Sequence, residues 1–509
     1  MSVRHHRFVW GFLAGCVVWA AQASWAQSPS EIFVCYEAAP RGGGDQANVD
    51  LRLQRLTLDG KVGWASQKDP VTIANTSAIE AAPVVCSDGA GGAIVAYQYE
   101  FVGGDHAGDV DIVAQRVSRE GKLLWNNGSE PVPVGSLGGR ETHPRIMPDG
   151  KGGAFIVYEW KDDKGDVDIV GQRISADGKL LWNDGEKALP IASSPSPEHD
   201  AVILSDGQGG MYVVFEWTDD KGDTDVMAQR VSADGQLLWN KGEKATDIAA
   251  TDDIERHPSV VPDARGGIFV VFELEFVAGE HKGDIDVVAQ RMAPDGTLRW
   301  DKPADVGTSE GLDRNPTAVT DHAGGIIVAF EHEALKGEFA GDVDILGQRL
   351  DKDGKMLWKD GKESVIVATA KQLEWAPQAI ALDRGGALIV FNIKPREGEN
   401  AGDVDIMAQG LTPSGDLMWN EGKKSSFVAS SKWLETLGTI LDDGAGGFVC
   451  IFTGEGPAGG KFAGDTDVSA MRMSADGKMI WNNGERAVEL GDSEELLERN
   501  PSAAVVSWK

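Results

Sequence analysis

Apolar and polar positions follow a strand-like pattern that recurs along the chain. In one unit the short run His143–Met147 ends at the turn Asp149–Gly153, and a continuous β-branched and aromatic run covers Ala154–Trp160. A polar loop then leads to a second long apolar run, Asp168–Ile174. No stretch of ten or more residues shows the 3.6-residue period of an amphipathic helix. The pattern therefore predicts β-strands joined by turns.

The same unit ends in a tight turn followed by a tryptophan. Gly178 supplies the positive φ that the turn Ser175–Gly178 needs, and Leu180–Trp182 begins a fourth predicted strand. We expect the Trp182 ring to dock against the next unit, where truncation to alanine would cost about 3–5 kcal/mol if the ring is buried. Four short strands with turns between them are typical of one β-propeller blade.

This unit occurs eight times in register, at spacings of 57 to 62 residues. Its two markers are an aspartate that opens the third strand and a tryptophan 14 residues later. The aspartates are Asp50, Asp111, Asp168, Asp225, Asp286, Asp344, Asp405 and Asp467. The tryptophans are Trp64, Trp125, Trp182, Trp239, Trp300, Trp358, Trp419 and Trp481. Such a period indicates a repeat architecture.

The two ends of the chain each hold part of one unit. Ile32–Glu37 matches the second strand, Phe155–Glu159, whereas Arg499–Ala503 matches the first strand, as in Arg256–Val260. Pairing the two ends would remove the exposed sheet edges that an open stack leaves. We therefore predict an all-β fold, an eight-bladed propeller of four-stranded antiparallel blades closed by its N- and C-terminal strands.

The first residues have the pattern of a secretory signal. Arg4 and Arg7 precede an apolar run, Phe8–Ala21, and a small-residue cleavage site ends at Ala26. We expect residues 1–26 to be a signal peptide and residues 27–509 a single propeller domain, periplasmic or secreted. The alternative is a lipoprotein anchored at Cys16, because Leu13 to Cys16 resembles a lipobox.

The net charge of −32 argues against some partners and favours others. So acidic a chain repels nucleic-acid phosphates, and no later segment is apolar enough to span a membrane. We expect a monomer with a cationic, protein or glycan ligand. Beyond the signal only Cys35, Cys86 and Cys450 remain, all in apolar runs, which predicts buried thiols rather than a disulfide framework.

The turn and tryptophan, Ser175 to Trp182, resemble two propeller signatures. One is the tryptophan-docking repeat of quinoprotein alcohol dehydrogenases and of their non-catalytic relatives among outer-membrane assembly lipoproteins. The other is the Asp-box of sialidases, although here glycine follows the aspartate directly. The whole unit, with its Asp-Gly-x-Gly-Gly turn, Asp-Ile-x-x-Gln-Arg strand and Trp, most resembles repeats of secreted bacterial propeller proteins. The resemblance implies a propeller fold.

Neither enzyme family's catalytic residues carry over. Quinoproteins place a disulfide between adjacent cysteines over the cofactor, and no adjacent cysteines occur here. Sialidases use an arginine triad and a Tyr-Glu pair, yet all five tyrosines lie in apolar runs. We therefore predict a non-catalytic binding or scaffold propeller, with no catalytic residue named. The alternative is a propeller enzyme, either a quinoprotein-like oxidoreductase or a carbohydrate-active hydrolase or lyase.

Carboxylates cluster on the face that carries the longer loops, where binding is expected. One set stands shortly before each predicted first strand: Glu80, Glu141, Glu198, Glu255, Asp313, Glu374, Glu435 and Glu498. A second set belongs to Gly-Asp-x-Asp loops: Asp109, Asp111, Asp166, Asp168, Asp223, Asp225, Asp284 and Asp286. A third set ends the second strand: Glu37, Glu159, Glu216, Glu273 and Glu331.

Two explanations fit these acids. In the first, they accept hydrogen bonds from backbone N–H groups at loop ends or pair with the repeated arginines, such as Arg173. In the second, they bind Ca²⁺, which takes six to eight oxygen ligands. Trp375 and Trp433 add aromatic candidates for binding beside Glu374 and Glu435. The histidines show no metal-ligand spacing, so the sequence predicts no histidine metal site.

Overall fold

The computed structural model describes residues 31–40, 48–64, 68–249, 251–307, 311–337, 340–369, 372–396, 402–457, 462–491 and 496–506. The expected signal peptide and Cys16 lie outside these residues. The all-β prediction is confirmed, because the described residues form strands and 3₁₀ turns of three or four residues. In this part of the chain, no helix has the length and apolar character that a membrane span requires.

The strands form four-stranded antiparallel groups of similar layout. The first groups contain β1 (Glu31–Pro40), β2 (Asp50–Thr57) and β3 (Val71–Ala74); β4 (Ile79–Ser87), β5 (Ala93–Glu100), β6 (Val110–Val117) and β7 (Val132–Gly135); β8 (Arg140–Pro148), β9 (Ala154–Lys161), β10 (Val167–Ile174) and β11 (Leu189–Ala192); β12 (Glu198–Ser205), β13 (Met211–Thr218), β14 (Thr224–Val231) and β15 (Thr246–Ala249).

The second half of the chain continues this layout. Its groups contain β16 (Ile254–Pro262), β17 (Ile268–Glu275), β18 (Ile285–Met292) and β19 (Ala304–Gly307); β20 (Leu312–Thr320), β21 (Ile326–Glu333), β22 (Val343–Leu350) and β23 (Val365–Ala368); β24 (Gln372–Ala381), β25 (Ala387–Pro395), β26 (Asp405–Leu411) and β27 (Ser426–Ala429); β28 (Leu434–Asp442), β29 (Phe448–Glu455), β30 (Thr466–Met473) and β31 (Val488–Gly491). The last strand, β32 (Leu496–Val506), pairs with β1.

The second strand of each group lies in the middle of the apolar packing. In β9, the six residues from Ala154 to Glu159 are all buried, because neighbouring groups cover both of its faces. Tyr158, for example, packs in the cluster with Trp125, whereas Phe155 packs in the cluster with Trp182. The continuous apolar run of these strands is what burial on both faces requires. The fold is therefore β-propeller-like.

The first strands begin earlier than the sequence predicts. β8 starts at Arg140, so Glu141 lies within the strand and pairs with Trp160 rather than preceding the strand. The pattern hides this because a bulge between Thr142 and Arg145 shifts the register, and His143 there has a φ of +53°. A bulge interrupts the alternation of side chains on which the sequence prediction depends.

The repeated tryptophan does not lie on the fourth strand, contrary to the sequence prediction. Trp182 precedes a 3₁₀ turn, Asn183–Gly185, and the fourth strand begins only at Leu189. Asn183 and Asp184 adopt left-handed φ values of +49° and +57°. Asparagine and aspartate tolerate this region better than other residues with a Cβ, so the chain turns there instead of extending.

Docking of the tryptophans against the next group is confirmed. The Trp182 ring packs on Gly235, where an added Cβ would lie 2.8 Å from the ring, and its Nε1 donates to the Ala233 carbonyl at 2.9 Å. Each remaining tryptophan covers the corresponding glycine: Trp64 on Gly121, Trp125 on Gly178, Trp239 on Gly296, Trp300 on Gly354, Trp358 on Gly415, Trp419 on Gly477 and Trp481 on Gly60. The ring therefore ties each group to the following one.

The repeated arginines lie at this turn end of the groups. Arg173 binds the turn aspartate Asp149 through Nε at 3.0 Å and Nη2 at 2.7 Å, and its Nη1 donates to the Ala233 carbonyl at 3.0 Å. Equivalent pairs are Arg116–Asp88, Arg230–Asp206, Arg291–Asp263, Arg349–Asp321 and Arg472–Asp443. The expected pairing of these arginines with the loop-face acids is therefore wrong.

The three predicted buried cysteines are confirmed. Cys35, Cys86 and Cys450 lie in strands, are fully buried and form no disulfide. Burial raises the pKa of each thiol, which disfavours the reactive thiolate.

Candidate functional site

The carboxylates of the first strands are buried at the end of each group opposite the tryptophan turns. Glu141 on β8 lies next to Asp111 on β6, and Glu198 on β12 lies next to Asp168 on β10. The sequence places Glu141 and Asp168 at the same end of one group, which the structure bears out. Their carboxyl partners, however, belong to adjacent groups. Packing between groups therefore creates the acid pairs.

The same neighbours recur along the chain. The other pairs are Glu80 with Asp50, Glu255 with Asp225, Asp313 with Asp286, Glu374 with Asp344 and Glu435 with Asp405. Glu498 is buried on β32 beside Gly491. The acids predicted from the sequence therefore form pairs spread over the groups rather than one compact cluster.

The preceding loop holds one carboxyl oxygen in five acids of the first strands: Glu80, Glu141, Glu198, Glu255 and Glu435. The Leu137 N–H donates to Glu141 Oε1 at 2.9 Å, and the Thr251 hydroxyl donates to Glu255 Oε1 at 2.8 Å. The second oxygen meets no donor in the described residues for Glu80, Glu141, Glu198, Glu255, Glu374 and Glu435. Because this oxygen faces an aspartate, it gains a partner when one carboxyl group of the pair carries a proton.

Burial and the neighbouring aspartates raise the pKa of these glutamates to neutral pH or above. Burial, followed by the Asp225 carboxyl group, raises the pKa of Glu255 to about 9. Burial, followed by the Asp344 carboxyl group, raises the pKa of Glu374 to about 8. Burial also raises the pKa to about 7 in Glu80, Glu141, Glu198 and Glu435. A proton shared within a pair relieves the repulsion between its two carboxyl groups, which the arginines at the turn end do not contact.

The Gly-Asp-x-Asp loops add charge to these pairs. Asp166 lies half-buried near Asp168 and Glu198, and its charge raises the pKa of both. Asp223 has the same relation to Asp225 and Glu255, as do Asp109 to Asp111 and Asp284 to Asp286. Calcium binding by these aspartates stays a prediction.

The acids that end the second strands form hydrogen bonds to the next group. Glu159 Oε1 accepts the Asp200 N–H at 2.9 Å, and Glu216 Oε1 accepts the His257 N–H at 2.6 Å. Three further bonds of this kind join Ala82 N to Glu37, Asn315 N to Glu273 and Ala376 N to Glu331. Each of the five residues that donate these N–H groups lies in the bulge of a first strand and has a left-handed φ. These acids therefore fix the bulges in place.

Three histidines lie together on neighbouring first strands, which the sequence analysis missed. His143 Nδ1 lies 2.9 Å from Glu159 Oε2 on β9, and His257 Nδ1 lies 3.0 Å from Glu273 Oε1 on β17. His199 on β12, between β8 and β16, contacts Asp200. Their spacing in the sequence exceeds fifty residues. Their common position, one or two residues after the first-strand glutamate, was the available signal.

The paired carboxylates favour the protonated imidazoles. The hydrogen bond to Glu159 raises the pKa of His143 above its usual value, although burial opposes it. Burial lowers the pKa of His257, but the Glu273 carboxylate more than offsets this, so the net pKa is raised. A histidine that titrates near neutral pH can take up and release protons in catalysis.

Arginines and a tryptophan continue this row on the next strands. Arg256 Nε donates to Glu273 Oε2 at 3.1 Å, and Arg314 pairs with Glu333. Trp375 occupies the corresponding position on β24 and is half-buried. The row across β12, β16, β20 and β24 therefore presents imidazole, guanidinium and indole groups side by side. We call the set His143, His199, Arg256, His257, Arg314 and Trp375 the inner row.

Trp433 lies farther along the same face. Its ring centroid is 5.9 Å from that of Phe462, and the indole covers Gly454. Residues 338–339, 397–401 and 458–461, which follow β21, β25 and β29 in the sequence, lie outside the described residues. Two cavities of about 330 and 540 Å³ lie instead at the turn end, beside Trp300 and Trp481.

Comparison with known proteins gives structural likenesses only. No protein-family model matches the chain, and no curated protein matches it in sequence. An ulvan lyase of polysaccharide lyase family PL25 has a TM-score of 0.44 and 12% identity, covering 81% of this chain and 95% of the lyase. The polysaccharide lyase Uly1 has a TM-score of 0.44 and 10% identity, covering 75% and 88%. An α-L-arabinanase from Penicillium chrysogenum, complexed with arabinobiose, has a TM-score of 0.37 and 13% identity, covering 64% and 93%.

Proposed function

We propose that the chain is an exported eight-bladed propeller closed by its two ends, with residues 1–26 as the signal peptide and residues 27–509 as one domain. Antiparallel pairing of β1 with β32, from Glu31–Val506 to Pro40–Leu496, supports this. Contacts between successive first strands, from β4 to β32 and from β32 back to β4, support it further. A closed ring has no exposed sheet edge at either end of the series of blades, which gives a physical reason for the pairing of β1 with β32.

The function that this site supports best is acid–base cleavage of a glycan, by hydrolysis or elimination, at the inner row. The main support comes from His143 and His257, which occupy equivalent positions. Nδ1 of each lies within 3.0 Å of a carboxylate oxygen, that of Glu159 or Glu273. A carboxylate that holds one ring nitrogen fixes the tautomer and leaves Nε2 for proton transfer.

The neighbours of His257 suit a sugar polymer. Arg256 and Arg314 supply guanidinium groups that can bind hydroxyl or carboxylate oxygens of the chain. Trp375 offers a partly exposed indole with a broad apolar face and a polar edge, the combination that suits a sugar ring. In this proposal, His257 transfers the proton, Glu273 orients it, and Arg256, Arg314 and Trp375 position the glycan.

A second candidate is a non-catalytic glycan-binding or scaffold propeller. It is favoured by a specific observation: Glu216 and Glu273 each accept a backbone N–H from the next first strand. Repeated acids in these positions hold the architecture whether or not chemistry occurs beside them. The Trp433–Phe462 pair would then belong to a binding surface rather than to a subsite of an enzyme.

Assaying residues 27–509 against acidic and neutral polysaccharides separates these candidates. Reducing-end release and the ultraviolet absorbance of an unsaturated product report hydrolysis and elimination, and calorimetry reports binding. We expect cleavage of at least one glycan and a loss of about 100-fold or more in kcat for His257→Gln. The control is His322→Gln, which changes an exposed histidine in a turn at the opposite end. Binding without cleavage would reject the enzyme and retain the second candidate.

A further inference from the structure

The strand β12 departs from its neighbours at the bulge. The residue two positions after the first-strand acid is His143 on β8, His257 on β16 and Asn315 on β20, each followed by proline. On β12 this residue is Asp200, and it is followed by Ala201. The change adds a carboxylate directly beside His199, in one group only among these four.

The added carboxylate completes a group of three potential metal ligands. His199 Nδ1 lies 3.2 Å from Asp200 Oδ2 and 3.7 Å from Glu216 Oε2. One ligand atom from each of these residues lies within 4.8 Å of the others. Ligands at about 2.0–2.1 Å from a tetrahedral ion are about 3.3 Å apart, so the two distances from His199 are near those of a bound site.

The surroundings of the three side chains fix their orientation. His199 Nε2 lies 3.2 Å from Thr218 Oγ1, and the Thr218 hydroxyl in turn lies 3.0 Å from that of Thr224. Thr218 can therefore accept the Nε2–H and donate to Thr224, which turns the Nδ1 lone pair towards the two carboxylates. A ligating histidine commonly donates its second N–H in this way. Glu216 Oε1 accepts the His257 N–H, which leaves Oε2 available to a metal ion.

A proton on His199 Nδ1 or a metal ion can supply the positive charge that the Asp200 and Glu216 carboxylates favour at this point. We propose that His199 Nδ1, Asp200 Oδ2 and Glu216 Oε2 bind a Zn²⁺ ion. One imidazole and two carboxylates form a nitrogen and oxygen set that suits zinc, whereas Ca²⁺ takes oxygen ligands. This site is distinct from the acid pairs discussed for calcium.

The proposed zinc keeps an open coordination position. The side chain of Glu216 is 6% exposed, but those of His199 and Asp200 are 32% and 51% exposed. Three protein ligands with access to solvent leave room for a water molecule or a ligand oxygen as the fourth. The zinc proposal does not depend on the proposed glycan cleavage, because bound metal is measured without substrate.

The test measures zinc content directly. Protein covering residues 27–509, made without a polyhistidine tag, is stripped with chelator, dialysed against buffered ZnCl₂ and analysed by mass spectrometry of the metal. We expect about one zinc per chain in the wild type and in His322→Gln. His199→Gln and Asp200→Asn should each bind at least tenfold less tightly. Circular dichroism establishes that each variant is folded, and Asp200→Asn changes a side chain that is half exposed.

Cobalt substitution supplies an independent readout. Co²⁺ in a tetrahedral site with a nitrogen ligand gives intense visible bands, which should appear in the wild type and be lost in His199→Gln. No zinc above the level of a protein-free dialysis control would overturn the proposal. Equal zinc content and equal cobalt bands in wild type and folded His199→Gln would also overturn it, since the metal would then lie elsewhere.

Discussion

The indole Nε1 of Trp481 donates a hydrogen bond of 3.0 Å to the carbonyl oxygen of Leu58, 423 residues away in the chain. Trp182 makes the equivalent bond of 2.9 Å to Ala233, only 51 residues away. The two rings also cover equivalent glycines, Gly60 and Gly235. The contact between the chain ends thus repeats the geometry found within the chain.

This equivalence leads to a comparison of two tryptophan variants. If the groups form a closed ring, Trp481→Ala and Trp182→Ala should each reduce the free energy of unfolding by about 3–5 kcal/mol, because each removes a buried ring from the same interface. Denaturant unfolding of both variants measures the loss. A Trp481→Ala loss below about 1 kcal/mol, beside a full loss for Trp182→Ala, would contradict closure.

Glycine substitutions test the docking contact itself. Gly235 and Gly222 both have positive φ, +78° and +88°, but a Cβ at Gly235 would lie 2.8 Å from Trp182, whereas Gly222 has open space around it. Gly222→Ala should cost about 1–2 kcal/mol from the left-handed backbone alone. Gly235→Ala should cost more, because the Trp182 ring must move as well. Equal thermal stabilities for the two variants would show that the ring does not rest on Gly235.

The buried acid pairs predict stability that falls as pH rises. Burial raises the pKa from 4.5 to about 7 in Glu80 and to about 9 in Glu255. Between pH 4.5 and these raised values, the folded state therefore binds more protons than the unfolded state. The stabilisation is complete below pH about 4.5 and is lost as pH rises through 7 to 9. Thermal unfolding at pH 5 to 9 should show a decreasing melting temperature.

Two glutamine variants separate the acid pairs from general charge effects. Glu255→Gln keeps a hydrogen-bond donor beside Asp225 at all pH values, so it should flatten part of the pH dependence. Glu243→Gln, at an exposed position, removes the same formal charge and should leave the profile unchanged. A melting temperature that rises from pH 5 to pH 8 would contradict the assignment of shared protons.

Calcium provides a test of the loop aspartates. Because acids such as Glu141 have one hydrogen-bonded oxygen and a second that can share a proton with aspartate, we expect millimolar Ca²⁺ to change the melting temperature no more than NaCl of equal ionic strength. The double variant Asp166→Asn, Asp168→Asn should behave like the wild type in this comparison. A calcium-specific increase that chelator reverses and the double variant lacks would instead establish calcium binding.

The repeats and strands could be predicted from the sequence because they depend on local chemistry. A run such as Ala154–Trp160 is β-branched and aromatic throughout, and Gly178 supplies a positive φ that few other residues tolerate. The docking of Trp182 follows from its recurrence in register. Burial of Cys35, Cys86 and Cys450 follows from the apolar runs around them.

The tertiary structure decided which side chains meet. Glu141 pairs with Asp111 rather than with an acid of its own group, and His143, His199 and His257 lie together although more than fifty residues separate each from the next. Sequence spacing specifies a residue's place within its group, but not the neighbour that the adjacent group supplies. The bulge that turns Asp200 towards His199 also breaks the strand periodicity, so the alternation of side chains alone cannot reveal it.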